Sequence, residues 1–335
     1  MILDGALPTS ITQAVDALAR GALVGLPTET VYGLAADACN DAAVALIFKT
    51  KGRPADHPLI VHVARAESVK AFVAEVPAFA QSLMDAFWPG PLTLILPRRP
   101  DVGAAAAGGQ DSVGVRCPSH PVALALLDGC AAQGIAGVAA PSANLFGRVS
   151  PTTAAHVQSE LGSDLLILDG GACDVGIEST IIDCTRGAPV LLRPGQITRS
   201  QVEAACGLTV LDKDALQAPT PRASGTLESH YAPSAKVRLM TSQAMTTALT
   251  ALGPHANNMA VWSHRHPQTD ADAASGWGSG VLWRQMPHDP VHAAHELFSV
   301  LRGFDARGAR QIWIEIPPDT PEWEGVRDRL QRAAA

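Results

Sequence analysis

The stretch "FKTKGRPADHPLIVHV", residues 48–63, places Lys49, Lys51 and Arg53 on alternate positions of a chain whose net charge is −7. A single lysine there would read as a solvated helix C-terminus, where the dipole favours cations anyway. Gly52 and Pro54 ask for more, because they fix the turn around Arg53 and shape the backbone to present a cation fork to an anion. His62 is the odd polar residue of the apolar run; taken alone, a hydrogen-bonded core histidine explains it. "SVGVRCPSHP" ends a strand on Arg116, which needs an anionic partner from the protein or from a ligand. "LLRPG" ends another strand on Arg193.

Hydroxyls and amides accompany these cations. "LPTETVYGLAAD" (26–37) leaves a strand into a Thr-rich turn that contains Thr30 and ends in Gly33. It is either an ordinary turn before a helix or a pocket for a small polar ligand. "AAPSAN" and "GRVSPTT" supply Ser142, Asn144 and Ser150 around helix starts, where capping competes with phosphate binding. "DVGIESTIID" puts Glu178, Ser179 and Thr180 before a strand. Together the pieces predict a polar cluster at one edge of a sheet, with Lys49, Lys51, Arg53 and Arg116 joined by Arg193.

Other chemistries lack their signatures. There is no G-x-x-x-x-G-K-[ST], no G-x-S-x-G and no H-E-x-x-H, and "GWGSG" (276–280) is too short for a dinucleotide fingerprint. His292 and His295 share a helix face, but with no nearby cysteine or third spaced ligand they read as solvated surface, so no metal site is expected. The cysteines (Cys39, Cys117, Cys130, Cys173, Cys184, Cys206) form no C-x-x-C pair and read as reduced and mostly structural. An acidic chain is a poor coat for nucleic acid, so any phosphate must be gripped by local cations.

The elements that position these residues are set by length and pattern. The 335 residues, 47% hydrophobic and only 4% aromatic, suit an α/β protein of one large and one small domain. Helical and strand-like segments alternate to residue 206, predicting a mixed-sheet domain over 1–206. In it a helix runs from Asn40 or Asp41 through Phe48, and "SPTTAAHVQSEL" forms a helix capped by Ser150. Residues 207–234, rich in Pro, Thr, Ser and Gly, read as a linker ending in His230 and Tyr231. Four more strands and three helices predict a small α/β domain over 235–335. No run long enough to span a membrane and no signal peptide is apparent, so a soluble, cytoplasmic protein is expected.

In these motifs the chain resembles the threonylcarbamoyl-AMP synthases with a YrdC-type domain. "PTETVYGL", "KGRP", "PLIVHV", "FWPGPLTLIL", "VRCPSHP", "APSAN", "SPTTA", "GGACDVGIESTIID" and "LLRPG" run in family order across residues 26–195. "SGTLESHYAP" (224–233) and the domain after it look like the long, two-domain form. The resemblance implies a YrdC-like twisted mixed-sheet catalytic domain, a lid over the active site, and a smaller Rossmann-like domain. It implies synthesis of threonylcarbamoyl-adenylate and pyrophosphate from L-threonine, bicarbonate and ATP. Mg²⁺ would be carried by the nucleotide, and a downstream tRNA threonylcarbamoyl transferase complex would use the product; weak tRNA contact is compatible with this.

The resemblance assigns Lys51 and Arg53 as catalytic residues on the ATP phosphates. It assigns Thr30, His62, Arg116, the backbone at Ala140 and Ser179 to threonine, with Arg116 on its carboxylate. His57, Ser112, Ser142, Asn144, Ser150 and Arg193 would contact ATP, and Tyr231 would close over it. His57 and Ser112 depart from the family pattern, which has Asn and Thr there. A carbamoyl transferase of hydrogenase maturation contains a similar domain, but its zinc-finger and acylphosphatase-like parts have no room before residue 26. An RNA-binding module without catalysis is the remaining alternative, and the acidic charge lowers it.

Overall fold

The computed structural model describes residues 1–215, 220–225, 231–266 and 281–335. The chain divides into two compact units: Met1–Phe146 with Ser150–Thr226, and Gly147–Val149 with Leu227–Ala335. The division differs from the boundaries read from composition, because strand Leu211–Asp212 pairs in parallel with Val190 and Leu191 and so extends the first unit's sheet. His230 and "GWGSG" lie outside the described residues.

The first unit is built on a mixed, eleven-stranded sheet. Its centre, in spatial order, consists of strands Gly33–Asp37, Val138–Ala139, Ile60–His62, Ser112–Arg116, Leu92–Pro97, Thr180–Asp183 and Val190–Arg193. Side chains alternate across a sheet with period two, so register decides which face each residue joins. Val61 pairs with Val115, Val115 with Leu94, and Leu94 with Ile182. All four are buried in the main apolar cluster on one face. On the opposite face His62 pairs with Arg116, Thr93 with Ile181, and Ile181 with Arg193. The expected cluster at a sheet edge is therefore a cluster on a sheet face. Alternation within these short strands is what separates Val61 from His62 and Val115 from Arg116.

Helix Asp41–Lys51 starts at Asn40, whose side chain accepts from the Ala43 amide. It ends on Gly52 in the left-handed region at φ 62°, which suits glycine. The Arg53 amide turns back to the Phe48 carbonyl at 3.0 Å. Two helical steps rotate a side chain by about 200°, so Lys51 is buried while Lys49 is exposed and leaves the cluster. Two further expectations change. The turn ending at Gly33 opens a strand, Gly33–Asp37, antiparallel to Val24–Leu26, rather than a helix. Helix Ala154–Leu161 is capped by Thr153, not by Ser150.

The second unit carries a wholly parallel sheet ordered Lys236–Met240, Gln311–Glu315, Met259–Ser263, Val281–Gln285. Helices Ser242–Leu252, Pro290–Ala306 and Glu324–Ala334 complete the Rossmann-like arrangement. Among the described residues no helix is long and apolar enough to cross a membrane.

Candidate active site

Strand Val24–Leu26 runs into a fully buried turn, Pro27–Val31. The Thr28 hydroxyl donates to the Val31 carbonyl at 2.6 Å and accepts from the Thr30 and Val31 amides, so the turn is held by its own side chain. This leaves the Thr30 hydroxyl to accept from Arg116 Nη1 at 2.8 Å. Arg116 Nη2 meets Glu29 Oε1 at 2.6 Å, and Nε donates to the Gly90 carbonyl. Burial alone would raise the Glu29 carboxyl, but the charge and hydrogen bond of Arg116 outweigh it and hold the carboxyl below its usual range. His62, in register with Arg116, is pushed down to about 3 by burial and then by that guanidinium, so it is neutral at physiological pH. The Ala140 amide donates to the Ile60 carbonyl at 3.0 Å, which pins its backbone beside the His62 strand.

A second cluster surrounds Lys51. Its ammonium donates to the Ser142 carbonyl at 2.5 Å and to the Asn144 carbonyl. Burial, then repulsion from Arg53, pushes it down to about 7. Arg53 Nη2 donates to the Pro58 carbonyl at 2.9 Å and to Ser224 Oγ at 3.0 Å, and its guanidinium lies 5.8 Å from the Phe146 ring centre. His57 meets the same ring edge-on; partial burial and Arg53 lower its pKa.

Arg193 ties Ser179 to the Arg53 cluster. Its Nε and Nη2 grip the Ser179 carbonyl at 3.1 and 2.9 Å, and Nη2 also reaches Ser179 Oγ. Gly195 makes the approach possible, since a Cβ there would lie 2.5 Å from the Thr180 nitrogen. Ser179 Oγ pairs with Thr93 Oγ1 at 2.8 Å. Arg193 Nη1 donates to the Ser224 carbonyl at 2.9 Å, so Ser224 bridges Arg193 and Arg53. Ser112 and Thr93 line a cavity closed on one side by Arg222, Ala223 and Ser224. Ser150 Oγ donates to Glu178 Oε1 at 2.5 Å.

The first unit thus gathers every residue the resemblance assigned except Tyr231. Tyr231 is buried in the second unit at φ 63°, against the Phe298 ring and the Arg329 guanidinium. Reading the sequence missed Glu29, Thr93, Phe146 and Ser224. Thr93, the one polar residue in "LTLILP", carried a period-two signal and Glu29 stood between two threonines, whereas nothing local marked Ser224.

A family described as telomere recombination matches residues 16–195, and one described as threonylcarbamoyl-AMP synthase, C-terminal domain, matches 197–335. A threonylcarbamoyl-AMP synthase of Bacillus subtilis (strain 168) is 38% identical over 97% of this chain and 92% of its own length. One of Pyrococcus abyssi is 44% identical over 67% of this chain and 66% of its own. The crystal structure of P. abyssi Sua5 complexed with L-threonine superposes with a TM-score of 0.87 at 34% identity, covering 100% of this chain and 97% of that one. From the N-terminal sheet through the C-terminal unit, the chain belongs to the threonylcarbamoyl-AMP synthase family.

Proposed function

We propose that the protein makes L-threonylcarbamoyl-adenylate and pyrophosphate from L-threonine, bicarbonate and ATP. The observation that carries the reading is Lys51: a buried ammonium beside Arg53, spending its hydrogen bonds on two backbone carbonyls and held at about 7. Glu160 offsets only part of this, and a polyphosphate would add the negative charge that favours the ammonium. Arg116, on the sheet face that carries His62, would turn its guanidinium to the threonine carboxylate, flanked by Thr30 and neutral His62.

The chemistry then needs position more than an activated side chain. Bicarbonate gives CO₂ and hydroxide, which takes the ammonium proton of threonine as water. The amine nitrogen then bonds the CO₂ carbon and releases its second proton to solvent, leaving the carbamate. A carbamate oxygen next attacks the α-phosphorus, and the bond from that phosphorus to the β-phosphate oxygen breaks. Lys51 and Arg53 stabilise charge on the departing pyrophosphate. Mg²⁺ is assigned to the nucleotide, because Glu29 is engaged by Arg116 and Glu178 by Ser150. The unstable product passes to a tRNA-modifying threonylcarbamoyl transferase. The test is pyrophosphate release, which must need threonine and bicarbonate together; release with either one omitted rejects the reading.

A further inference from the structure

The segment Gly147–Val149 belongs to the second unit, although its neighbours Phe146 and Ser150 belong to the first. Helix Pro290–Ala306 and the residues around Ala232 account for that. Phe298, Arg302 and Asp305 are spaced by four and then three residues, so they form one stripe on the helix surface. Phe298 packs on the Tyr231 ring, with centroids 5.3 Å apart. Asp305 accepts from the Ser234 and Ala235 amides at 2.7 and 3.1 Å and faces Arg148 at 3.9 Å. Arg302 Nη2 donates to the carbonyl of Val149. The linker's exit is stitched to the same segment, as the Ala232 amide donates to the Gly147 carbonyl at 2.9 Å and Arg148 to Ser234 Oγ at 2.9 Å.

The carbonyl that Arg302 holds is half of the peptide unit whose nitrogen belongs to Ser150. That unit is planar, so fixing its oxygen fixes where the Ser150 Cα begins. The Ser150 side chain is then aimed by Glu178. We infer that Arg302 is a positioning residue for Ser150, supported by Asp305 on the same stripe. This rests on the proposed assignment of Ser150 to ATP. The contacts given above for Glu29, Thr30, His62 and Arg116 all lie within the first unit.

The experiment uses the full chain with Arg302→Ala and Arg302→Lys. Arg302→Ala is expected to raise the KM for ATP about tenfold while the threonine Kd stays within about twofold. Arg302→Lys, which keeps one charged donor but not the fork, should fall between the two and decides the matter if the alanine variant does not fold. Hydrogen exchange without substrate gives a readout independent of activity: the Ser150 amide should exchange faster in both variants, with the amides of Glu29 and Thr30 unchanged. An unchanged Ser150 amide and ATP KM, or parallel losses for ATP and threonine, overturns the inference. A wild-type protein without turnover would reject the proposed function and leave the exchange test of Arg302 intact.

Discussion

Arg116 and Glu29 meet at 2.6 Å with side chains only 4% and 6% exposed, inside the pocket assigned to a substrate that is itself a carboxylate. A buried guanidinium needs a negative partner at all times. Glu29 supplies it here, and under the proposed function threonine would bring a second carboxylate to the same guanidinium.

Glu29→Gln should therefore cost stability, on the order of 3 kcal/mol, because it leaves Arg116 buried without its counter-charge. L-Threonine should restore part of that loss by offering its own carboxylate. Thermal melts are expected to show a lower Tm for the variant and a larger threonine-induced rise than in wild type. Equal rises in the two proteins would place the substrate carboxylate elsewhere.

If Lys51 meets the nucleotide as proposed, ATP binding should depend on pH. Held at about 7 in the free protein, it is largely neutral above that pH, and a bound polyphosphate favours its charged form. Nucleotide binding should then take up a proton at about pH 8. Calorimetry in two buffers of different ionisation enthalpy reads this as a buffer-dependent heat, absent in Lys51→Met.

The same lysine depresses stability where it is charged. Its folded pKa lies below the ordinary 10.5, so the unfolded chain binds the extra proton between about 7 and 10.5 and stability rises with pH across that window. Relative to wild type, Lys51→Met should gain stability at about pH 6 and lose the advantage by about pH 10. It should also lose turnover by at least about a hundredfold. Matched loss of fold and activity at every pH would return Lys51 to a structural role.

His62 works on the acid side. Its folded pKa is pushed from 6.5 to about 3, so stability present above 6.5 is lost as pH falls through that interval. The loss is up to about 1.4 kcal/mol per pH unit. Denaturant melts of His62→Gln should show a shallower acid limb; an unchanged limb would mean that other groups dominate it.

Much of this was legible in the sequence because strands and helices have fixed periods. Alternation in "LIVHV", "SVGVR" and "LTLIL" was enough to set His62, Arg116 and Thr93 apart from their apolar neighbours. Spacing within "FKTK" also carried the separation of buried Lys51 from exposed Lys49, although the two were read as one cluster. The common face of those strands was not legible, because it depends on register between segments far apart in the chain. Ser224 gave no local sign either, since its role comes from where the chain returns and not from its neighbours. Ser150 misled for a different reason: hydroxyl residues near a helix start compete for the cap, and Thr153 took it.

The central claim is that a carbamate oxygen, derived from bicarbonate, forms the new bond to the α-phosphorus. Short incubations with ¹⁸O-bicarbonate, threonine and ATP, followed by cleavage of the adenylate at its carbonyl carbon and mass spectrometry, test this directly. The account predicts ¹⁸O in the phosphate of the released AMP and none in pyrophosphate. Unlabelled AMP, or label recovered in pyrophosphate or orthophosphate, would contradict it.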